Sequence, residues 1–275
     1  SYQAVLDDPA VEAVYIPLPN DLHRQWTERA AASGKHVLCE KPLATAPDDV
    51  AAMYAAGRDA GVVLAEAYMT PFHPRTMAII DDVRSGAIGD VRSVRSEFSF
   101  TIGPEHASNF RWVPENGGGA LWDVGIYTLS PLLDLLDNPS VGDVTSLIGP
   151  SGVDITTSVT LATERASATA LCSFEMPERQ LLEIRGTTGT ITVDRAYTPS
   201  ESDDHYLIQR ADNSRDRVVT GGADPYQLML ESFAHACRGR SDWPRSERAT
   251  LAMIGQIAEL LSISSPGSAP ARPSR

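Results

Sequence analysis

Two stretches decide the fold: Val11-Glu12-Ala13-Val14-Tyr15-Ile16-Pro17-Leu18-Pro19-Asn20 and Gly34-Lys35-His36-Val37-Leu38-Cys39-Glu40-Lys41-Pro42-Leu43. Each is a short apolar run closed by prolines, which cannot donate to a central ladder, so each predicts a buried strand with a defined end. Between them, Asn20-Asp21 can cap a helix over residues 22–32, and Gly34 is placed to end it. A third unit follows, a helix over 47–60 ended by Gly61 and a strand over 62–65. A short helix over 2–6 opens the chain. Strand and helix alternating through short links is the pattern of parallel βαβ units, in which ligands bind at the carboxyl ends of the strands. Residues 17–20 and 40–42 fall at those ends.

After Tyr68 the pattern changes. A helix over 74–85 precedes a strand over 91–100 with one solvated face. The turn Gly117-Gly118-Gly119 then leads into an apolar helix over 120–136. Strand-like runs follow at 144–148, 156–161, 166–174, 180–185, 190–193 and 206–209, with a hinge at Gly186-Thr187-Thr188-Gly189. Helices over 225–238 and 245–262 close the unit. Consecutive strands without helices between them predict an antiparallel sheet. The expected fold class is therefore α/β: a parallel-sheet domain over residues 1–68, then an α+β domain with an open, mainly antiparallel sheet over 69–263. The Ser- and Pro-rich tail over 264–275 is expected to be disordered.

The composition is that of a globular protein, with 42% hydrophobic and 21% charged residues over 275 positions, which excludes collagen, wholesale disorder and a disulfide miniprotein. With 36 acidic against 23 basic residues the net charge is -13, an unfavourable sign for nonspecific nucleic-acid binding. Cys39, Cys172 and Cys237 are odd in number and widely spaced, which points to free thiols and a reducing compartment, the cytoplasm. No window has the apolar length of a membrane helix, and no secretory leader pattern opens the chain.

Few residues suggest chemistry. Lys35 and Lys41 are the only lysines. Lys41 stands at a strand end between Glu40 and Pro42, where a compact cation can lower the proton affinity of a neighbouring acid. A surface lysine trailing a strand fits the same spacing, although Pro42 restricts the backbone of Lys41 and is a position open to a cis bond. Asp123 and Tyr127 are spaced i, i+4 and share one face of a helix that is apolar nearly all round. A carboxylate there needs a partner. The plainer alternative makes Tyr127 a core tyrosine and Asp123 a capping group; with Lys41, the three can converge on one interdomain pocket. His23 suits a surface or packing role. His73, between Phe72 and Pro74, could face the cleft. No histidine pair has metal-ligand spacing, and no serine lies in a GxSxG elbow.

In combination, Pro17-Leu18-Pro19-Asn20 with His23, the Glu40-Lys41-Pro42 segment and Gly117-Gly118-Gly119-Ala120-Leu121-Trp122-Asp123-Val124-Gly125-Ile126-Tyr127 resemble the Gfo/Idh/MocA oxidoreductases, over residues 2 to about 262. Tyr127, where many members carry His, resembles the branch of dihydrodiol dehydrogenases, glucose-fructose oxidoreductase and NADP-dependent xylose dehydrogenases. The resemblance implies a Rossmann domain, an open sheet used for homo-oligomerisation, NAD or NADP as cofactor, and hydride transfer to or from a secondary alcohol or hemiacetal of a sugar, polyol or cyclic diol. It implies Tyr127 as acid/base and Lys41 as its electrostatic partner, with Asp123 and His73 on the substrate side. Pro17, Leu18, Asn20, His23, Glu40 and Lys41 would line the cofactor.

Two departures follow from the comparison of motifs. Pro71 stands where the family usually has Arg, and no GxGxxG occurs in a strand-turn-helix setting. A catalytically silent ligand-sensing or scaffold relative is the alternative. The phosphate-binding turn is expected upstream of Tyr2, so sequencing the reading frame before Ser1 should reveal a strand followed by GxGxxG; a stop codon there would remove the dinucleotide-binding expectation for this polypeptide.

Overall fold

A computed structural model of the chain describes residues 1–103, 106 and 108–264. After α1 (Tyr2–Asp7) come β1 (Ala13–Ile16), α2 (Asn20–Ala32), β2 (His36–Glu40), α3 (Pro47–Ala60) and β3 (Leu64–Ala67). The strands form a parallel sheet in the order β1-β2-β3, with Ile16 opposite Cys39 and Glu40 opposite Ala67. Val37, Leu38 and Cys39 are buried on the central strand, as a parallel sheet covered by helices requires. Gly61 ends α3 in the left-handed conformation that only glycine adopts without penalty. One expectation fails in detail. Asn20 does not cap α2 through its side chain; Pro19 holds the cap position, and the Asn20 amide donates to the Gly117 carbonyl at 3.0 Å.

The second sheet follows α4 (Pro74–Arg84). It comprises β4 (Val91–Thr101), then, beyond α5 (Ile126–Leu135), β5 (Ser140–Ile148), β6 (Asp154–Ala162), β7 (Ser167–Ser173), β8 (Glu175–Gly186), β9 (Gly189–Asp194), β10 (His205–Arg210) and β11 (Arg215–Val219). Its order is β11-β10-β9-β8-β4-β7-β6-β5, antiparallel except where β4 runs parallel to β7. β5 begins earlier than its apolar pattern suggests, because a register shift between Val141 and Val144 breaks the alternation. β11 carries no periodic signal: Arg215-Asp216-Arg217 leaves this edge strand almost wholly exposed. The chain ends in α6 (Pro225–Cys237) and α7 (Glu247–Ser264). Helix α7 includes Ser264, the first residue of the expected disordered tail; residues 265–275 of that expectation lie outside the described residues.

The apolar helix expected over 120–136 is divided. Leu121–Gly125 is a π-helical turn and α5 starts only at Ile126. Pro131 lies inside α5 and cannot donate to the carbonyl four residues back, that of Tyr127. The glycine turn fits closely beneath. A Cβ at Gly118 would sit 2.5 Å from the Arg111 carbonyl, and Gly119, at φ +116°, has its would-be Cβ against the Asp154 carboxylate. That carboxylate accepts from the Leu121 amide and the Thr157 hydroxyl, each at 2.9 Å, and so holds the start of the π turn.

Helix α7 packs back against α3 and α5. Its anchor is Glu66 on β3, fully buried, which accepts from Arg245 Nε at 2.7 Å, the Thr250 hydroxyl at 3.1 Å and the Leu43 amide at 3.1 Å. Removing one partner of a buried ion pair strands the other, at about 3–5 kcal/mol. Arg245→Met should lose that much in urea unfolding, and Glu66→Leu/Arg245→Met should recover most of it; an Arg245→Met protein within about 1 kcal/mol of wild type would show that the pair contributes little.

Candidate active site

Lys41 follows the carboxyl end of β2, and its peptide bond to Pro42 is cis. Asp123 lies in the π turn and Tyr127 in the first turn of α5. The three meet. Lys41 Nζ donates to the Asp123 backbone carbonyl at 2.7 Å and to its Oδ1 at 3.1 Å, and it lies 4.9 Å from the Tyr127 ring centroid. An ammonium has three donors, so one N–H remains for another acceptor. Lys41 does not donate to the Tyr127 hydroxyl, which makes no side-chain hydrogen bond among the described residues.

Asp123 has a second cation. Arg111, in the 3-10 turn Phe110–Trp112, donates through Nε to Oδ2 at 2.6 Å and through Nη2 to Oδ1 at 3.2 Å. Burial alone would raise the Asp123 pKa; Lys41 and Arg111 outweigh it and hold the carboxyl below the usual carboxylate range. Tyr127 is the opposite case. Burial above all, with Tyr226, Tyr68, Asp123 and Glu40 acting in the same direction, pushes its phenol well above 10. A lysine-stabilised phenolate was the expectation from sequence; here desolvation dominates, and the ammonium is engaged by Asp123 instead.

An aromatic wall surrounds the phenol. Tyr68 and Phe98 each meet the Tyr127 ring edge-on at 5.4 Å, with Tyr197 at 6.2 Å. Tyr68 follows β3 and carries the Arg245 guanidinium 5.0 Å from its ring centroid, so the Glu66–Arg245 pair backs this wall. Through the Leu43 amide, Glu66 also braces the loop that carries Lys41.

The histidines are placed differently from the expectation. His73 is fully buried and caps α4: its Nδ1 accepts from the Arg75 amide at 3.1 Å, and Nε2 faces the Ser200 carbonyl at 3.2 Å. The expectation put it on the substrate side; both of its ring nitrogens are engaged by backbone groups. Burial lowers its pKa. His23 is also fully buried, with Nδ1 3.0 Å from the Pro42 carbonyl and Nε2 2.8 Å from the Leu18 carbonyl. It offers no free nitrogen to a ligand; it ties the loop after β1 to the loop after β2. Asn20 likewise serves the scaffold through Gly117. Glu40 accepts from the Tyr15 hydroxyl and from the Lys41 amide. Pro17 and Leu18 stay at the β1 end with surface to offer.

A nicotinamide dinucleotide fits the part of the site that is described. Two parallel strands end side by side at Pro17–Leu18 and Glu40–Lys41, next to an unpartnered phenol and a lysine with a spare N–H. Among the described residues no glycine-rich turn is placed to receive the pyrophosphate, and no group of His, Cys, Asp and Glu could hold a metal ion. Nor is any helix of the described residues long and apolar enough to cross a membrane. Sequence reasoning missed Arg111, which stands alone in a loop without periodicity. It also missed Glu66 and Tyr68, although the strand-end rule that found Lys41 applies equally to β3.

Comparison with known proteins bears on the family and the fold. Residues 1–68 match the oxidoreductase family with the NAD-binding Rossmann fold, and 77–192 match the GFO/IDH/MocA C-terminal domain. The chain is 39% identical over 253 residues to D-xylose 1-dehydrogenase (NADP(+)) 2 of Haloferax volcanii, covering 90% of this chain and 76% of that protein. It is 39% identical over 243 residues to dTDP-3,4-didehydro-2,6-dideoxy-alpha-D-glucose 3-reductase of Streptomyces violaceoruber, covering 86% and 70%. The crystal structure of KijD10, a 3-ketoreductase from Actinomadura kijaniata in complex with NADP and TDP-benzene, superposes with a TM-score of 0.88 at 28% identity, covering 95% of this chain and 81% of that one. A parallel three-stranded sheet followed by a mainly antiparallel eight-stranded sheet is the fold shared with the solved relative, and on the two family models and these identities the chain belongs to the Gfo/Idh/MocA family of NAD(P)-dependent oxidoreductases.

Proposed function

We propose that Tyr127 is the proton donor and acceptor at the reacting oxygen of a sugar-like substrate, a free sugar, polyol or sugar nucleotide, and that Lys41 stabilises charge on the same oxygen. The observation that carries this is the convergence of an unpartnered buried phenol and an ammonium with a free N–H at the strand ends. The relatives named as a xylose dehydrogenase and a dTDP-sugar 3-reductase support the substrate class. NAD(P) supplies or accepts the hydride when bound. Pro17, Leu18 and Glu40 would hold its nicotinamide and ribose side.

In the direction of ketone reduction, Tyr127 gives its proton to the carbonyl oxygen. A phenol held well above its usual pKa is protonated throughout the neutral range, so the proton it must give is in place. The Lys41 N–H not used by Asp123 faces the negative charge that develops on that oxygen. In alcohol oxidation the roles reverse, and Tyr127 must first lose its proton. We further propose that the open face of the eight-stranded sheet pairs copies of the chain, and that the protein works in the cytoplasm, where the free thiols of Cys39, Cys172 and Cys237 stay reduced.

The decisive variant is Tyr127→Phe in the full-length protein, assayed with NADPH and NADH against a panel of keto-sugars and by cofactor titration. Turnover should fall at least about 100-fold, with cofactor affinity within about twofold. Turnover at the wild-type rate would remove Tyr127 from its role. The pH dependence has a definite sign: reduction should be flat through neutral pH and decline only at high pH, as the phenol ionises, whereas oxidation should climb with pH. An oxidation rate that is already level at neutral pH would contradict a phenol held in its protonated form.

A further inference from the structure

Arg111 touches neither the phenol nor the strand ends, yet it determines the charge that the site presents. Asp123 is a single carboxylate gripped by two cations, Lys41 at 3.1 Å and Arg111 at 2.6 Å. Were Lys41 its only partner, ammonium and carboxylate would cancel, and Tyr127, 4.9 Å from the ammonium, would face an ion pair with little net field. With Arg111 bound two-pronged to the same carboxylate, the three groups sum to one positive charge. The side chains of Lys41 and Asp123 are 13% and 11% exposed, so solvent screens this field only weakly.

We infer that Arg111 is a positioning residue whose guanidinium neutralises Asp123 and so leaves the Lys41 charge available to the phenol and to the substrate oxygen. This rests on the roles proposed for Tyr127 and Lys41. The other charged and titratable groups facing Tyr127 do not supply that balance. Glu40, from the end of β2, adds negative charge and is held by Tyr15 and the Lys41 amide. Tyr68 after β3, Tyr226 on α6 and Tyr197 after β9 are neutral phenols. The Arg245 guanidinium lies on Tyr68 and is paired with Glu66. The geometry that delivers Arg111 is built in: Asn109 caps its turn by accepting from the Arg111 amide at 3.0 Å, and the Arg111 carbonyl receives the Gly119 amide at 3.0 Å.

The test is the pH profile of kcat for alcohol oxidation in the full-length protein, with Tyr127→Phe and Lys41→Ala as references. Less positive field raises the proton affinity of Tyr127, so Arg111→Gln should move the rising limb upward by about one pH unit, which is about tenfold in kcat at neutral pH, with cofactor Kd within about twofold. Arg111→Lys keeps the charge but not the two-pronged contact, and should keep the wild-type limb. A folded Arg111→Gln with an unshifted limb overturns the inference. So does the inverse pattern, in which Gln behaves as wild type and Lys does not, because that would mean geometry rather than charge. If Arg111→Gln fails to fold, Arg111→Lys decides alone: a limb shifted as far as in Lys41→Ala overturns the charge role. Tyr127→Phe retaining full turnover would instead sink the underlying assignment, whatever Arg111 does.

Discussion

A carboxylate taken out of water must be met by positive charge, and Asp123 is met from two directions: by Lys41 from the parallel sheet and by Arg111 from the loop before the glycine turn. This desolvated anion is one of the points at which the two sheets are joined chemically rather than only packed. It fixes the lysine beside the phenol and draws the 109–119 loop onto the π turn. Leaving it unpaired would be more costly than any single surface interaction in the molecule.

Around that point the supports are redundant and polar. His23 ties two strand-end loops through two carbonyls, Asn20 reaches the glycine turn, Asp154 holds the first turn of the π segment, and Glu66 braces the lysine loop while gripping the last helix. Backbone carbonyls and amides are the partners in most of these contacts. Loops fixed in this way keep reacting groups in place without a ligand present, which is how a site gains from orientation.

The strands of the parallel sheet were legible because prolines and glycines punctuate short apolar runs, and the Lys41–Asp123–Tyr127 grouping was legible from strand-end position and i, i+4 spacing. Other features left no local trace. Whether His23 and His73 face a ligand or a carbonyl depends on contacts with Leu18, Pro42 and Ser200, and the ring carries no sign of that in sequence. Arg111 looks like any loop arginine until the fold brings Asp123 to it. β11 was missed because an edge strand needs no apolar face, and the π turn was missed because it buries the same residues an α-helix would.

The bond between Glu66 and Arg245 spans 179 residues of chain. During synthesis, therefore, the Glu66 carboxylate stays in water with no partner cation until 179 further residues have been added. Packing the first sheet before that point would bury the acid unpaired, at a cost on the order of 3–5 kcal/mol. A shortened chain that ends before Arg245 would leave that same acid without its cation.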